Sequence, residues 1–96
     1  MFVLITYDVN TVSPKGCKRL RRVAKECLNY GQRVQNSVFE CVLEEAQFIF
    51  LKSKIDSIID QELDNVRFYF LGKNWERKIV TLGKSTSYNV NSDLII

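Results

Sequence analysis

Tyr7-Asp8-Val9-Asn10 is the segment of this chain best placed to do chemistry. It closes an apolar, β-branched run, so a phenol, a carboxylate and a carboxamide leave a stiff backbone close together. A carboxylate so held, flanked by an amide and a hydroxyl, suits a hard cation. An Asp at a strand exit also commonly closes the next turn, and a single carboxylate holds a phosphate-processing metal poorly. If two copies of the chain pair about a two-fold axis near Asp8, each Asp8 faces its own copy and two carboxylates converge.

The second chemical feature is positive charge at regular spacing. Lys15, Lys18, Arg22 and Lys25 recur every three or four residues, with Arg19 and Arg21 beside them. On a helix these positions line one face, suited either to phosphate contacts or to simple solvation. Residues 1–36 carry seven basic side chains against two acidic, whereas residues 37–66 carry two against seven. A basic N-terminal third points to an anionic partner, and the acidic middle argues against diffuse membrane binding.

Composition narrows the chemistry further. The chain has no histidine, which excludes His general bases and most zinc sites. Cys17, Cys27 and Cys41 are an odd number without CxxC spacing, so neither a disulfide framework nor a zinc ribbon fits, and small buried hydrophobes do. Free thiols, an N-terminus without a basic leader and the lack of a long apolar run lead us to expect a cytoplasmic protein with no membrane association. Arg67-Phe68-Tyr69-Phe70-Leu71-Gly72 lacks the glycine pattern of an RNA-recognition sheet.

These residues need a frame. With 96 residues, 46% hydrophobic and 26% charged, the chain is one domain with a thin core, for which dimerisation is a usual remedy. Residues 2–9 read as a strand covered on both sides. Ser13-Pro14 reads as a helix start, the helix running to about Tyr30 and ending at Gly31, with Cys17, Leu20, Ala24, Cys27 and Leu28 as its buried stripe. Residues 65–71 and 78–82 read as further strands.

Between them the pattern is ambiguous. Residues 32–43 could be one long strand followed by a helix from Glu44 to about Gln61, marked by Phe48, Leu51, Ile55, Ile58 and Ile59. Alternatively 32–51 forms a hairpin turning at Glu44-Glu45-Ala46, with a shorter helix over 52–61. We prefer the hairpin, because it completes an α+β, ferredoxin-like split βαβ fold: an antiparallel sheet with two helices on one face. Residues 1–84 would form this domain. Residues 85–96 would be a polar linker ending in an apolar tail strand, Leu94-Ile95-Ile96, suited to a sheet edge.

A strand ending Tyr7-Asp8-Val9, then a basic helix, then Arg33-x-Gln35-x-Ser37-Val38-Phe39-Glu40, in this order and separation, resembles the small CRISPR-associated endonuclease family that partners the integrase in spacer acquisition. The likeness spans nearly the whole chain. It implies a ferredoxin-like homodimer packed through its open sheet faces, with Mg²⁺, or Mn²⁺ in its place, held near the two-fold axis by Asp8 of both copies. It implies cleavage of phosphodiester bonds in RNA or DNA, with Arg33 touching phosphate beside the helix cations Lys18, Arg19 and Arg22. Tyr7, Ser37 and Phe39 would shape the site or interface, and Asn10 stands where many relatives carry a further acid. The same family also supplies a non-catalytic alternative, a dimeric scaffold that bridges integrase subunits and binds duplex DNA.

Overall fold

The computed structural model describes residues 1–72 and 78–84. Its elements, in chain order, are β1 (Phe2–Asp8), α1 (Pro14–Leu28), β2 (Gly31–Gln35), β3 (Val38–Val42), α2 (Glu45–Ile58), β4 (Asn65–Leu71) and β5 (Lys78–Gly83). The five strands form one antiparallel sheet in the order β2-β3-β1-β4-β5. Its first four strands have the ferredoxin-like arrangement, and β5 extends the edge beyond β4. The expected fold class is the observed one.

Strand β1 is central, yet it is covered on one side only. Val3, Ile5 and Tyr7 are buried against the helices, while Phe2 and Asp8 are exposed and Leu4 and Thr6 half-buried. Both helices bury their apolar faces on the same side: Val23, Ala24 and Cys27 from α1, and Leu51, Ile55 and Ile58 from α2, share a core with Phe39, Cys41, Val66 and Phe68. Among the described residues nothing packs over the other face of the sheet, which is open. The second cover expected for β1 does not come from the described residues of this chain, in which Phe2 is exposed and Leu4 half-buried on that face.

Helix α1 begins as its residues require. The Ser13 hydroxyl accepts the Gly16 N–H at 3.1 Å, and Pro14 follows in the first turn, where its missing N–H costs nothing. The helix stops at Leu28, earlier than expected, and its stripe is rotated: Val23 is buried whereas Leu28 is 56% exposed. Gly31 does not end the helix. It opens β2, where an added Cβ would overlap the Glu40 carbonyl and the Cys41 side chain, so close strand approach explains this glycine.

The larger correction concerns residues 32–61. The hairpin lies earlier than we preferred, between β2 and β3, with Asn36-Ser37 at its turn and a register shift between Arg33 and Gln35. Glu44, Glu45 and Ala46 make no hairpin turn; they start α2, where the Gln47 side chain accepts the Glu44 N–H at 2.8 Å. The helix thus runs over 45–58, its inner face anchored by Phe48 edge-on to Phe68 and Phe70. Ile49 and Phe50, each 58% exposed, lie outside that face. Their apolar character gives the segment its strand-like appearance.

At the far edge, Gly83 has φ 85°, a conformation other residues rarely adopt, and the Lys84 N–H donates to the Asp64 carbonyl at 2.6 Å. Residues 85–96, including the expected tail strand, lie outside the described residues. Among the described residues no helix is long and apolar enough to cross a membrane.

Candidate nucleic-acid and metal site

The end of β1 carries two side chains to opposite faces, as strand alternation demands. Tyr7 turns inward. Its ring stacks on Phe39 with centroids 6.0 Å apart, its N–H donates to the Ser37 carbonyl at 3.1 Å, and its hydroxyl donates to the Asn36 carbonyl at 3.2 Å. The Arg33 guanidinium lies over the Phe39 ring, 5.2 Å from its centroid. Burial pushes the Tyr7 phenol above its ordinary pKa, opposed in part by Arg33, so the hydroxyl stays protonated near neutral pH. Tyr7, Arg33, Ser37 and Phe39 therefore form one cluster, in which the aromatic pair braces an exposed cation.

Asp8 leaves β1 on the open face and is exposed. Among the described residues its carboxylate takes no hydrogen bond and no ion pair. Its row on that face includes Thr6, Leu4 and Phe2, and its neighbour across the ladder is Asn65. One chain does not bring Asp8 into the Tyr7–Phe39 cluster. Among the described residues no three His, Cys, Asp or Glu side chains gather as a metal site.

The basic row survives on α1 with one exception. Lys15, Lys18, Arg21, Arg22 and Lys25 are exposed. Arg19, expected among the phosphate contacts, is drawn down instead onto Asp64, with Nε at 2.7 Å from one carboxylate oxygen and Nη2 at 3.3 Å from the other. This fork is occupied by a partner within the chain.

Asp64 is the residue that sequence reading missed. It is the one buried charged residue among the described residues, fully excluded from solvent. Besides Arg19, it accepts the Asn10 N–H at 3.0 Å and the Asp60 N–H at 2.8 Å. Burial raises its pKa, but Arg19 and the two N–H groups outweigh that and hold the carboxyl below its ordinary range. Asn10, expected to support a metal, is occupied as well: its side-chain oxygen accepts the Val12 N–H at 3.0 Å. The only sequence signal for Asp64 was an acid directly before an apolar strand, which the acidic middle third concealed.

Cys27 and Cys41 are buried as expected, whereas Cys17 is only half-buried. Burial pushes Cys27 up to about 12, helped by Cys41 and Glu26, and pushes Cys41 up to about 11.

The chain is similar to known proteins along nearly all of its length. Residues 1–79 match the family model described as CRISPR associated protein Cas2. The chain is 53% identical over 95 residues to the CRISPR-associated endonuclease Cas2 of Halalkalibacterium halodurans, covering 99% of both chains. It is 51% identical over 96 residues to the CRISPR-associated endoribonuclease Cas2 of Chlorobaculum tepidum, covering all of both. Its fold is similar to the crystal structure of Streptococcus pyogenes Cas2 at pH 6.5, with TM-score 0.72 and 60% identity over 79% of this chain and 92% of the other. An open-faced ferredoxin-like sheet, an acid at the exit of its central strand and full-length similarity of this degree lead to one conclusion: the chain belongs to the Cas2 family of CRISPR-associated proteins.

Proposed function

We propose that this chain is a metal-dependent endonuclease of CRISPR defence that works as a homodimer on RNA or DNA and supports spacer acquisition beside the integrase. The observation that carries the reading is Asp8: an exposed carboxylate without a partner among the described residues, fixed at the end of the central strand. Relatives named endoribonuclease or endonuclease support it.

The donor set fits Mg²⁺ on one condition. That ion takes one or two carboxylates and keeps several waters; one chain offers one carboxylate, and a symmetric pair offers two. Apolar side chains on the open face, Phe2, Leu4, Val42 and Leu71, favour its burial against a second copy. Asp8 of each copy would hold Mg²⁺ or Mn²⁺, and the bound ion supplies charge neutralisation at phosphate and a water of lowered pKa.

The chain's other residues bind and orient. Arg33, braced on Phe39, and the exposed Lys18 and Arg22 would contact phosphate oxygens, which position a strand without reading its sequence. Tyr7, protonated and tied to the Asn36 carbonyl, holds the hairpin that carries Arg33. Arg19 serves the frame.

Cleavage of nucleic acid with and without EDTA tests this reading. Asp8→Asn should abolish Mg²⁺-dependent nicking while leaving the dimer intact; EDTA-resistant cleavage by the pure variant refutes it. A second reading, the non-catalytic scaffold bridging integrase subunits, is favoured by the single acid on β1 and the exposed basic row. Spacer acquisition in cells by Asp8→Asn would rank bridging above cleavage.

A further inference from the structure

We propose that Asp64, acting with Arg19 through the backbone of Asn10, is a positioning residue for the Asp8 carboxylate. The inference rests on the reading of Asp8 as a metal ligand. Strand β1 loses its ladder partner after the Asp8–Asn65 pair. At that point a side chain takes over from the backbone: the buried Asp64 carboxylate accepts the Asn10 N–H at 3.0 Å. The Arg19 guanidinium, paired with that carboxylate at 2.7 Å, also reaches the Asn10 carbonyl at 3.4 Å. Both backbone polar groups of Asn10 are thereby gripped by one ion pair. Gly16 closes the third side, since an added Cβ there would overlap the Asn10 carbonyl. Asp8 therefore sits between two fixed points, the last rung of the ladder and the Asn10 clamp, although its own carboxylate has no partner among the described residues.

Symmetry gives this clamp its consequence. Aspartate has a short side chain, so the backbone largely sets where its oxygens lie. In a two-fold pair any displacement of β1's exit occurs in both copies, and the separation of the two carboxylates changes by contributions from both. A misplacement of about 1 Å is enough to cost roughly 100-fold in a reaction that depends on alignment. An asparagine at 64 would keep the size of the side chain but replace an acceptor oxygen with an N–H₂ group among four donors.

The experiment measures Mn²⁺ affinity on the whole chain by paramagnetic resonance of the free ion. Hydrogen exchange of the Asn10 amide is followed alongside, below the unfolding temperature of each variant. Asp64→Asn should weaken Mn²⁺ binding about tenfold, the scale seen when an outer partner of a metal ligand is lost, and Asn10 exchange should accelerate. Cleavage should lose kcat at saturating metal with little change in KM for nucleic acid, and Arg19→Lys should retain more of each property than Arg19→Gln. A folded Asp64→Asn with unaltered Mn²⁺ affinity overturns the proposal; if that variant does not fold, Arg19→Gln decides by the same measurement. Asp8→Asn separates the two layers. If it binds Mn²⁺ as the parent does, the ligand reading fails and positioning falls with it. If it loses Mn²⁺ while folded Asp64→Asn keeps it, positioning alone fails.

Discussion

Two aspartates stand beside the same rung of the sheet and live in opposite worlds. Asp8 is exposed, on the open face and without a partner among the described residues; Asp64, adjacent to Asp8's ladder neighbour Asn65, is fully buried and surrounded by donors from Arg19, Asn10 and Asp60. One carboxylate has its lone pairs unclaimed among the described residues, and the other has spent them on the frame. The difference teaches that an acid's role follows from what already occupies its oxygens. Sequence context separates the two poorly, since both adjoin apolar strands.

Mutating each in turn should break the contrast most sharply. Asp8→Asn is expected to reduce metal-dependent cleavage by more than about 100-fold, beyond the usual cost of losing an outer-shell partner, and to shift unfolding free energy by no more than about 0.5 kcal/mol. Asp64→Ala should do the reverse in urea titrations, costing about 3 kcal/mol, because it leaves two backbone N–H groups without their acceptor and removes a buried charge partner. Similar stability losses for both variants would erase the distinction.

Gly16→Ala perturbs the clamp without touching either acid. The new methyl would overlap the Asn10 carbonyl, so the loop after β1 must shift, at a cost of about 1–3 kcal/mol in thermal or urea unfolding. Acid titration sharpens the comparison further. Asp64's folded-state pKa lies below its ordinary value of 3.8, so its contribution is complete above that value and is lost as pH falls through the lower, folded one. Asp64→Asn should therefore flatten the fall of stability below about pH 4, the range in which a carboxylate with an ordinary pKa of that size takes up its proton. The smallest effect concerns the thiols: at pH 8, alkylation followed by mass spectrometry should label half-buried Cys17 ahead of buried Cys27 and Cys41.

Much of the scaffold was legible because local chemistry and the final fold agree. Ser13-Pro14 starts α1, and the apolar runs over 2–8, 65–71 and 78–83 are strands. The hairpin was misplaced where they disagree. Ile49 and Phe50 put apolar side chains outside α2's buried face, which disguised a helix as a strand, and the true turn at Asn36-Ser37 has no glycine to announce it. In the site, Tyr7, Asp8 and Arg33 could be singled out because each stands in a compact motif. Asp64 could not, since its partners Asn10 and Arg19 lie 54 and 45 residues away in sequence and meet it only once the sheet has closed. The same closure removed Arg19 from the basic row to which its spacing had assigned it.

The left-handed turn at Gly83 and the Lys84 N–H held by Asp64 give the sheet a fixed departure point. A probe or peptide joined at Lys84 would share its anchorage with the residue that grips Asn10. Tension applied through such a handle would load the Asp64 segment directly, making this edge a natural place from which to pull on the molecule and sense the state of its central strand.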